Sequence, residues 1–255
     1  MQNLPQQFKR FLVPDEGYLL LEIDKRQAEW VVVAYLANDA RMIRVAEEGL
    51  DAHAETANAS FGVPHELIEM ENKLVGHETD PVVISEIRQR LPDLKKYHVP
   101  SSMSVRQAGK KSNHALNYNM GYRRFALENE LPESEAKFIH AAYFDGYPGI
   151  RHTFHKYIGD QLRKDRTLKS LFGRPRRFLD RWGQELYNTA YAYIPSSTVV
   201  QMVNRGMKQV FYSDEYCFQS MMFLAQVHDS VVLQFPMGTY ANYEMLAESI
   251  LRMRD

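Results

Sequence analysis

The sequence predicts an α+β fold: a small antiparallel sheet, built from strands near both ends of the chain, frames a large and mostly helical insertion. Three observations carry this. "YLLLEID" (18–24) is an apolar run of strand length that ends in a carboxylate. "FLAQVHDSVVLQF" (223–235) is a near-alternating apolar run interrupted by His228-Asp229-Ser230, a polar triplet suited to a hairpin turn. Between them, apolar residues recur mainly at helical spacing.

In chain order, 18–24 reads as a strand, 27–47 as one helix and 51–60 as a shorter one. Residues 65–98 are charged and helical in pieces. Helices follow over 104–118, 132–144 and 149–165, with Pro132 in a first turn. "LFGRPRRFL" is a turn built on Gly173 and Pro175. Helices over 184–192 and 197–212 are separated at Pro195, which lacks the N–H a helix interior needs. The hairpin and a final helix from about 240 complete the chain.

With 255 residues, 45% hydrophobic and 25% charged, the chain can bury a substantial core as one large domain or two small ones. The net charge of −1 argues against a uniformly basic surface, but the charge is unevenly spread. Ten Lys/Arg face three Asp/Glu over 150–181, and five basic residues meet no acidic one over 106–124. Basic blocks in a neutral chain are what a phosphate-facing cleft requires, although solvated helix faces give the same pattern. The single Cys217 excludes an internal disulfide framework, and no zinc-type Cys/His spacing occurs. The opening "MQNLPQQFKR" has no signal-type apolar region, and no apolar run approaches the ~20 residues of a membrane span. A reducing cytoplasm is the expected setting.

Two strand-borne aspartates, Asp24 and Asp229, lie far apart in sequence, each beside residues suited to a buried sheet. Such a pair can hold divalent cations side by side for in-line phosphoryl or nucleotidyl transfer. An ordinary polar turn accounts for the stretch around Asp229 alone. The basic block "RQAGKKSNHALNYNMGY" puts Arg106 and Lys110 on one helix face, with Asn113, His114 and Tyr118 following. Two cations, an amide and aromatic rings suit a nucleoside triphosphate. A surface helix with chance charges is the plainer alternative.

Taken together and in order, these stretches resemble the three polymerase motifs of the family A DNA polymerases, the bacterial DNA polymerase I group and its phage relatives. Asp24, Gln27 and Glu29 match the first motif, Asp-x-x-Gln-x-Glu; Arg106, Lys110 and Tyr118 match the second; Gln226, Val227, His228 and Asp229 match the third. Asp51, His53, Thr56 and Ala57 match the family's Asp-x-His-x-x-Thr-Ala element. "YFDGYPGIR" and "LFGRPRR" resemble segments between the second and third motifs.

The resemblance implies a right-hand polymerase core without its thumb: palm over 1–40 and 190–255, fingers over 41–189. It implies template-directed DNA synthesis, with Asp24 and Asp229 as catalytic ligands of two Mg2+ ions, for which Mn2+ can substitute. Arg106 and Lys110 would hold the dNTP triphosphate, with His114, Tyr118 and Gln27 completing the nucleotide site. Glu29, beside Tyr118, would fill the space of a ribose 2′-hydroxyl. Asn3, Asn113, Gln226 and His228 would touch the primer-template DNA. A single-subunit RNA polymerase shares the Asp pair and the Arg/Lys helix, but Glu29 argues against it; a non-catalytic polymerase-like DNA-binding subunit is the other alternative. The departures are Ser230 where the family has Glu, His114 where Phe or Tyr is common, Asn119 for Gly, and Ser196-Ser197-Thr198 for Gln-Gly-Thr. In relatives a thumb, often with an exonuclease-like domain before it, precedes the segment resembling Gln2-Asn3-Leu4-Pro5. Only 26 residues follow Asp229. A thumb-bearing upstream polypeptide is therefore an expected partner, and a bacterial or phage-infected cytoplasm the expected location.

Overall fold

A computed structural model of the chain describes residues 11–25, 27–76, 78–213, 221–227, 229–238 and 247. The chain divides into two compact units, one of Met1–Ala28 with Ser196–Asp255, the other of Glu29–Pro195. The mixed character expected from the sequence is present among the described residues: helices dominate, with two small antiparallel sheets.

The first unit holds β1 (Tyr18–Asp24), β4 (Met222–Val227) and β5 (Ser230–Pro236), in the spatial order β1-β5-β4. All pairings are antiparallel, and β5 is central. Alternation along the strands sorts the side chains by face. Leu19, Leu21 and Ile23 of β1 join Leu233 and Phe235 of β5, Phe223 of β4, Met221 and Val210 in one apolar cluster. Tyr18, Leu20, Glu22 and Asp24 point the other way. A bulge between Phe223 and Ala225 adds a residue to β4. The sheet is closed at its far end by Met237 N–H donating to the Gly17 carbonyl (2.8 Å). Asp15 and Gln234 bond reciprocally there, the Gln234 amide donating to Asp15 Oδ2 at 2.7 Å and Asp15 N–H to Gln234 Oε1 at 3.2 Å.

The second unit contains α1 (Ala28–Ala37, from its second residue), α2 (Ala40–Glu47), α3 (Ala52–Phe61), α4 (His65–Val75), α5 (Pro81–Arg90), α6 (Val105–Leu116), α7 (Tyr122–Asn129), α8 (Glu133–Gly146) and α9 (Lys156–Asp165). A 3-10 turn over Leu91–Lys96 follows α5, and a π-type stretch over Ile150–His155 opens the segment expected to be one helix to 165. The expected helix over 27–47 is two helices. Asn38 takes φ +48, a left-handed conformation that Asn tolerates, and Asp39 then caps α2 by accepting from the Arg41 and Met42 N–H groups. α7 was not evident from the sequence because its exposed face is rich in Arg and Glu; only Phe125 and Ala126 are buried.

"LFGRPRR" forms the turn and second strand of a hairpin, β2 (Thr167–Lys169) with β3 (Pro175–Arg177), whose turn uses Gly173 at φ +83. The two helices expected around Pro195 are a single α10 (Gln184–Phe211). A proline in a helix interior costs about 3 kcal/mol or more. Ala190, Tyr191 and Ile194 before it, and Val199 and Val203 after it, are all buried. At roughly 1.5–3 kcal/mol for each large apolar side chain, this burial outweighs the proline. Among the described residues no helix is long and apolar enough to cross a membrane.

In the second unit α3 and α6 approach closely at Gly109. A Cβ at Gly109 would lie 2.2 Å from the His53 carbonyl oxygen and 3.1 Å from the Ala57 nitrogen. Only glycine fits there, which explains a glycine in the middle of an otherwise ordinary helix.

Candidate active site

In the first unit, the β1–β5 register sets Asp24 opposite Ser230, and the hairpin turn that carries Asp229 lies at the same end of the sheet. The Lys25 N–H donates to the Asp229 carbonyl at 3.3 Å, tying the end of β1 to that turn. The fold therefore brings two aspartates from opposite ends of the chain to one end of the sheet. Among the described residues no group of three or more His, Cys, Asp or Glu side chains is gathered for a metal. Two hard carboxylate donors nonetheless fit a magnesium-type cation, which commonly takes one or two carboxylates and completes its shell with water and substrate phosphate.

Ser230, only 3% exposed, has its hydroxyl proton shared between Glu22 Oε1 (3.0 Å) and the Val227 carbonyl (3.0 Å). Gln226 sits on β4 opposite Val231, partly exposed. Gln27 takes φ +55 in the turn leading from β1 to α1. Asn3 and His228 lie outside the described residues.

In the second unit, α6 starts at Ser104, whose hydroxyl accepts from Gln107 N–H, and ends at Leu116. Arg106 and Lys110 share its outward side, with Arg106 half-buried and Lys110 exposed. Arg106 Nε donates to Asp51 Oδ2 at 2.7 Å. Asp51 also caps α3, accepting from His53 N–H (2.9 Å) and Ala54 N–H (3.3 Å). Burial alone would raise the Asp51 pKa, but Arg106 and these N–H groups outweigh it and hold the carboxyl below its ordinary range. Lys110 and His114 line an open pocket of about 250 Å³ with Lys111, Met120 and Glu128. His114 is exposed, its ring 6.0 Å from that of His53.

Burial lowers the His53 pKa to about 4; Asp51 opposes this, while Arg106, His114 and Lys110 add to it. His53 is thus neutral at pH 7, which lets its Nδ1 accept a bond from the Asn113 amide at 3.2 Å.

Tyr118 lies just beyond α6, and its hydroxyl donates to Glu29 Oε2 on α1. The structure therefore joins the two residues expected to act together on the sugar. Asn119 takes φ +60, which explains why Asn stands where the family has Gly: it is the residue that best shares glycine's left-handed conformation.

Asn113 corrects the expectation. It is 3% exposed and cannot offer its side chain to a DNA strand in this arrangement. Its Oδ1 accepts from Trp30 Nε1 (3.0 Å), Thr56 Oγ1 (2.9 Å) and the Tyr143 hydroxyl (3.3 Å). Its amide also donates to the Ala52 carbonyl at 3.2 Å. Position 113 lies only about 20° short of two full turns past Arg106, but Arg106 is itself half-buried, and the offset falls on the side where α6 meets its neighbours. The roles of Asp51 and Gly109 were missed. A glycine inside a helix of good formers was the available signal for the second; nothing local marked Asp51 as the partner of Arg106.

Comparison with known proteins adds to this geometry. A model described as DNA polymerase family A matches residues 85–254. The thermostable DNA polymerase I of Thermus aquaticus is 27% identical over 263 residues, covering 98% of this chain and 27% of that protein. DNA polymerase I of Deinococcus radiodurans is 22% identical over 268 residues, covering 98% of this chain and 24% of that protein. This chain thus spans about a quarter of the length of such relatives. The solved POL domain of Pol1 from M. smegmatis, in complex with DNA primer-template and dNTP, superposes with a TM-score of 0.74 at 22% identity, covering 99% of this chain and 41% of that one. The family model takes in more than half of the chain, so the chain belongs to DNA polymerase family A.

Proposed function

We propose that this chain is the catalytic core of a template-directed DNA polymerase, extending a primer 3′-hydroxyl with deoxynucleotides. The sheet unit would be the palm and the helical unit the fingers. The observation that carries the reading is the convergence of Asp24 and Asp229, 205 positions apart in sequence, on one end of a three-stranded sheet.

The reaction is an in-line displacement. The primer 3′-oxygen bonds to the α-phosphorus, the bond from that phosphorus to the pyrophosphate oxygen breaks, and the hydroxyl proton passes to solvent. When bound, a pair of magnesium ions would supply activation of the hydroxyl and neutralisation of the leaving pyrophosphate. Asp24 and Asp229 would hold them. Arg106 and Lys110 take the triphosphate electrostatically, with Asp51 holding Arg106 through its Nε at 2.7 Å. His114, beside the pocket at Lys110, offers a ring for the base. Glu29, fixed by the Tyr118 hydroxyl, excludes a ribose 2′-hydroxyl. The basic hairpin β2–β3, with Arg174, Arg176 and Arg177, offers sequence-independent phosphate contacts.

Primer extension on a short template tests this. Asp24→Asn and Asp229→Asn should each abolish Mg2+-dependent incorporation, exceeding the ~10²-fold loss of one electrostatic stabiliser, while leaving the circular dichroism spectrum unchanged. Near-normal extension by either variant refutes the assignment. A wild-type chain that binds primer-template but adds no nucleotide favours the non-catalytic DNA-binding subunit, a reading to which Ser230, in place of the family's Glu, lends support.

A further inference from the structure

Glu22 is a carboxylate that the three motifs leave without a role. It lies two residues before Asp24 on β1, so both side chains rise from the same face of the sheet, their Cα atoms about 6.6–6.8 Å apart. Cross-strand partners share a face, and Ser230 is the partner of Asp24. The Ser230 hydroxyl reaches diagonally back to Glu22 Oε1 at 3.0 Å. Ser230 is nearly fully buried while Glu22 is exposed, so the hydroxyl is a fixed anchor and the carboxylate is what it steers. The Ser230 proton is shared with the Val227 carbonyl, also at 3.0 Å, so the bond sets the direction of the Glu22 carboxylate rather than clamping it.

We infer that Glu22 is a positioning residue for the cation site: held by Ser230, it accepts hydrogen bonds from the water ligands of a divalent ion bound at Asp24 and Asp229. This deepens the polymerase reading and rests on it. Direct coordination is not invoked, since among the described residues no three such side chains gather around one point. Magnesium-type ions keep several water ligands, and groups that orient those ligands tune affinity strongly. Glu22 also adds a negative charge on the face that carries Asp24.

The test is Mn2+ titration of the full chain by electron paramagnetic resonance, without DNA or nucleotide. Glu22→Gln is isosteric at an exposed position and preserves the fold. It should weaken Mn2+ binding about 10-fold, the lower end of what loss of an outer ligand-orienting group costs. Ser230→Ala should weaken it in the same direction but less, and the double variant should be no weaker than Glu22→Gln alone. The Mg2+ concentration for half-maximal primer extension should rise in parallel. Glu86→Gln, an exposed carboxylate on α5, is the control for bulk charge and should leave binding unchanged. If Asp24→Asn loses Mn2+ while Glu22→Gln stays within twofold of the wild type, the role of Glu22 is refuted and the polymerase reading stands. If Glu22→Gln and Ser230→Ala add independently, the anchoring link is refuted. If Asp24→Asn binds Mn2+ as the wild type does, the carboxylate site and this inference fall together.

Discussion

Replacing Asn113 by Ala separates a packing role from a nucleic-acid contact. Asn113 Oδ1 is the acceptor for the Trp30 indole at 3.0 Å, whereas Thr56 can turn to the Tyr147 hydroxyl (3.1 Å) and Tyr143 to Asn117 Oδ1 (2.6 Å). Truncation therefore strands chiefly one buried N–H, at a cost of about 1–3 kcal/mol. The bonds from the amide to the Ala52 carbonyl and His53 Nδ1 add about 1 kcal/mol each. Alanine returns ~0.5 kcal/mol in helix propensity, leaving a net loss on the order of 3 kcal/mol. With a urea dependence of ~1–3 kcal/mol per molar, the unfolding midpoint should fall by about 1 M or more. The chain has two tryptophans, so a Trp182→Phe background leaves Trp30 as the sole indole reporter of this unit. Its emission should also shift as the stranded N–H gains water. A midpoint within ~0.3 M of the parent, combined with weakened primer-template binding, would refute the buried-network argument and restore Asn113 as a DNA contact.

Gly109→Ala should destabilise the helical unit despite the ~1 kcal/mol that alanine gains in a helix. A Cβ 2.2 Å from the His53 carbonyl forces α3 and α6 apart, so overpacking at the upper end of ~1–3 kcal/mol should dominate in urea melts. Glu29→Ala should raise ribonucleotide use relative to deoxynucleotide use more than it lowers total activity, read as the ratio of dCTP to rCTP incorporation; an unchanged ratio places sugar discrimination elsewhere. For pH dependence, burial lowers both His53 and His155 from 6.5 to about 4. The unfolded chain takes up these protons first, so stability is fully present above about 6.5 and declines as pH falls toward about 4. For His155, which is 7% exposed, such a depression corresponds to roughly 3 kcal/mol, with less for the more open His53. The thermal midpoint should drop between pH 7 and 4.5, and His155→Gln should flatten that slope.

The parts of the fold legible in the sequence were those governed by local periodicity. Strand β1 runs over the residues expected, Tyr18–Asp24, because its apolar run is bounded by Gly17 and by a turn at Gln27. The hairpin was legible because a polar triplet interrupts two apolar runs. What was not legible depended on groups remote in sequence. The continuity of α10 through Pro195 rests on burial that no local pattern records. The inward turn of Asn113 is set by partners at positions 30, 56 and 143. The break at Asn38-Asp39 was readable in principle: an Asn able to turn left-handed followed by a capping Asp is a stop and a start. In the site, the pairing of Glu29 with Tyr118 and the shared sheet end of Asp24 and Asp229 followed from the motifs. The Arg106–Asp51 pair and the Ser230–Glu22 bond needed coordinates.

The register of β1 on β5 makes the carboxylate pair a question of parity. Because side chains alternate, sliding β5 by one residue would set Val231 opposite Asp24 and turn Ser230 away from Glu22. The same slip would expel Leu233 and Phe235 from the apolar cluster and replace them with Val232 and Gln234. Odd-numbered slips are thus penalised twice, by the core and by the chemistry. An even slip preserves the faces but carries Asp229 along the strand by two residues, about 6.6–6.8 Å from its place beside Asp24. Insertions or deletions should therefore be far less tolerable in the 222–236 hairpin than in the charged loops of the helical unit, whatever their effect on hydrophobicity.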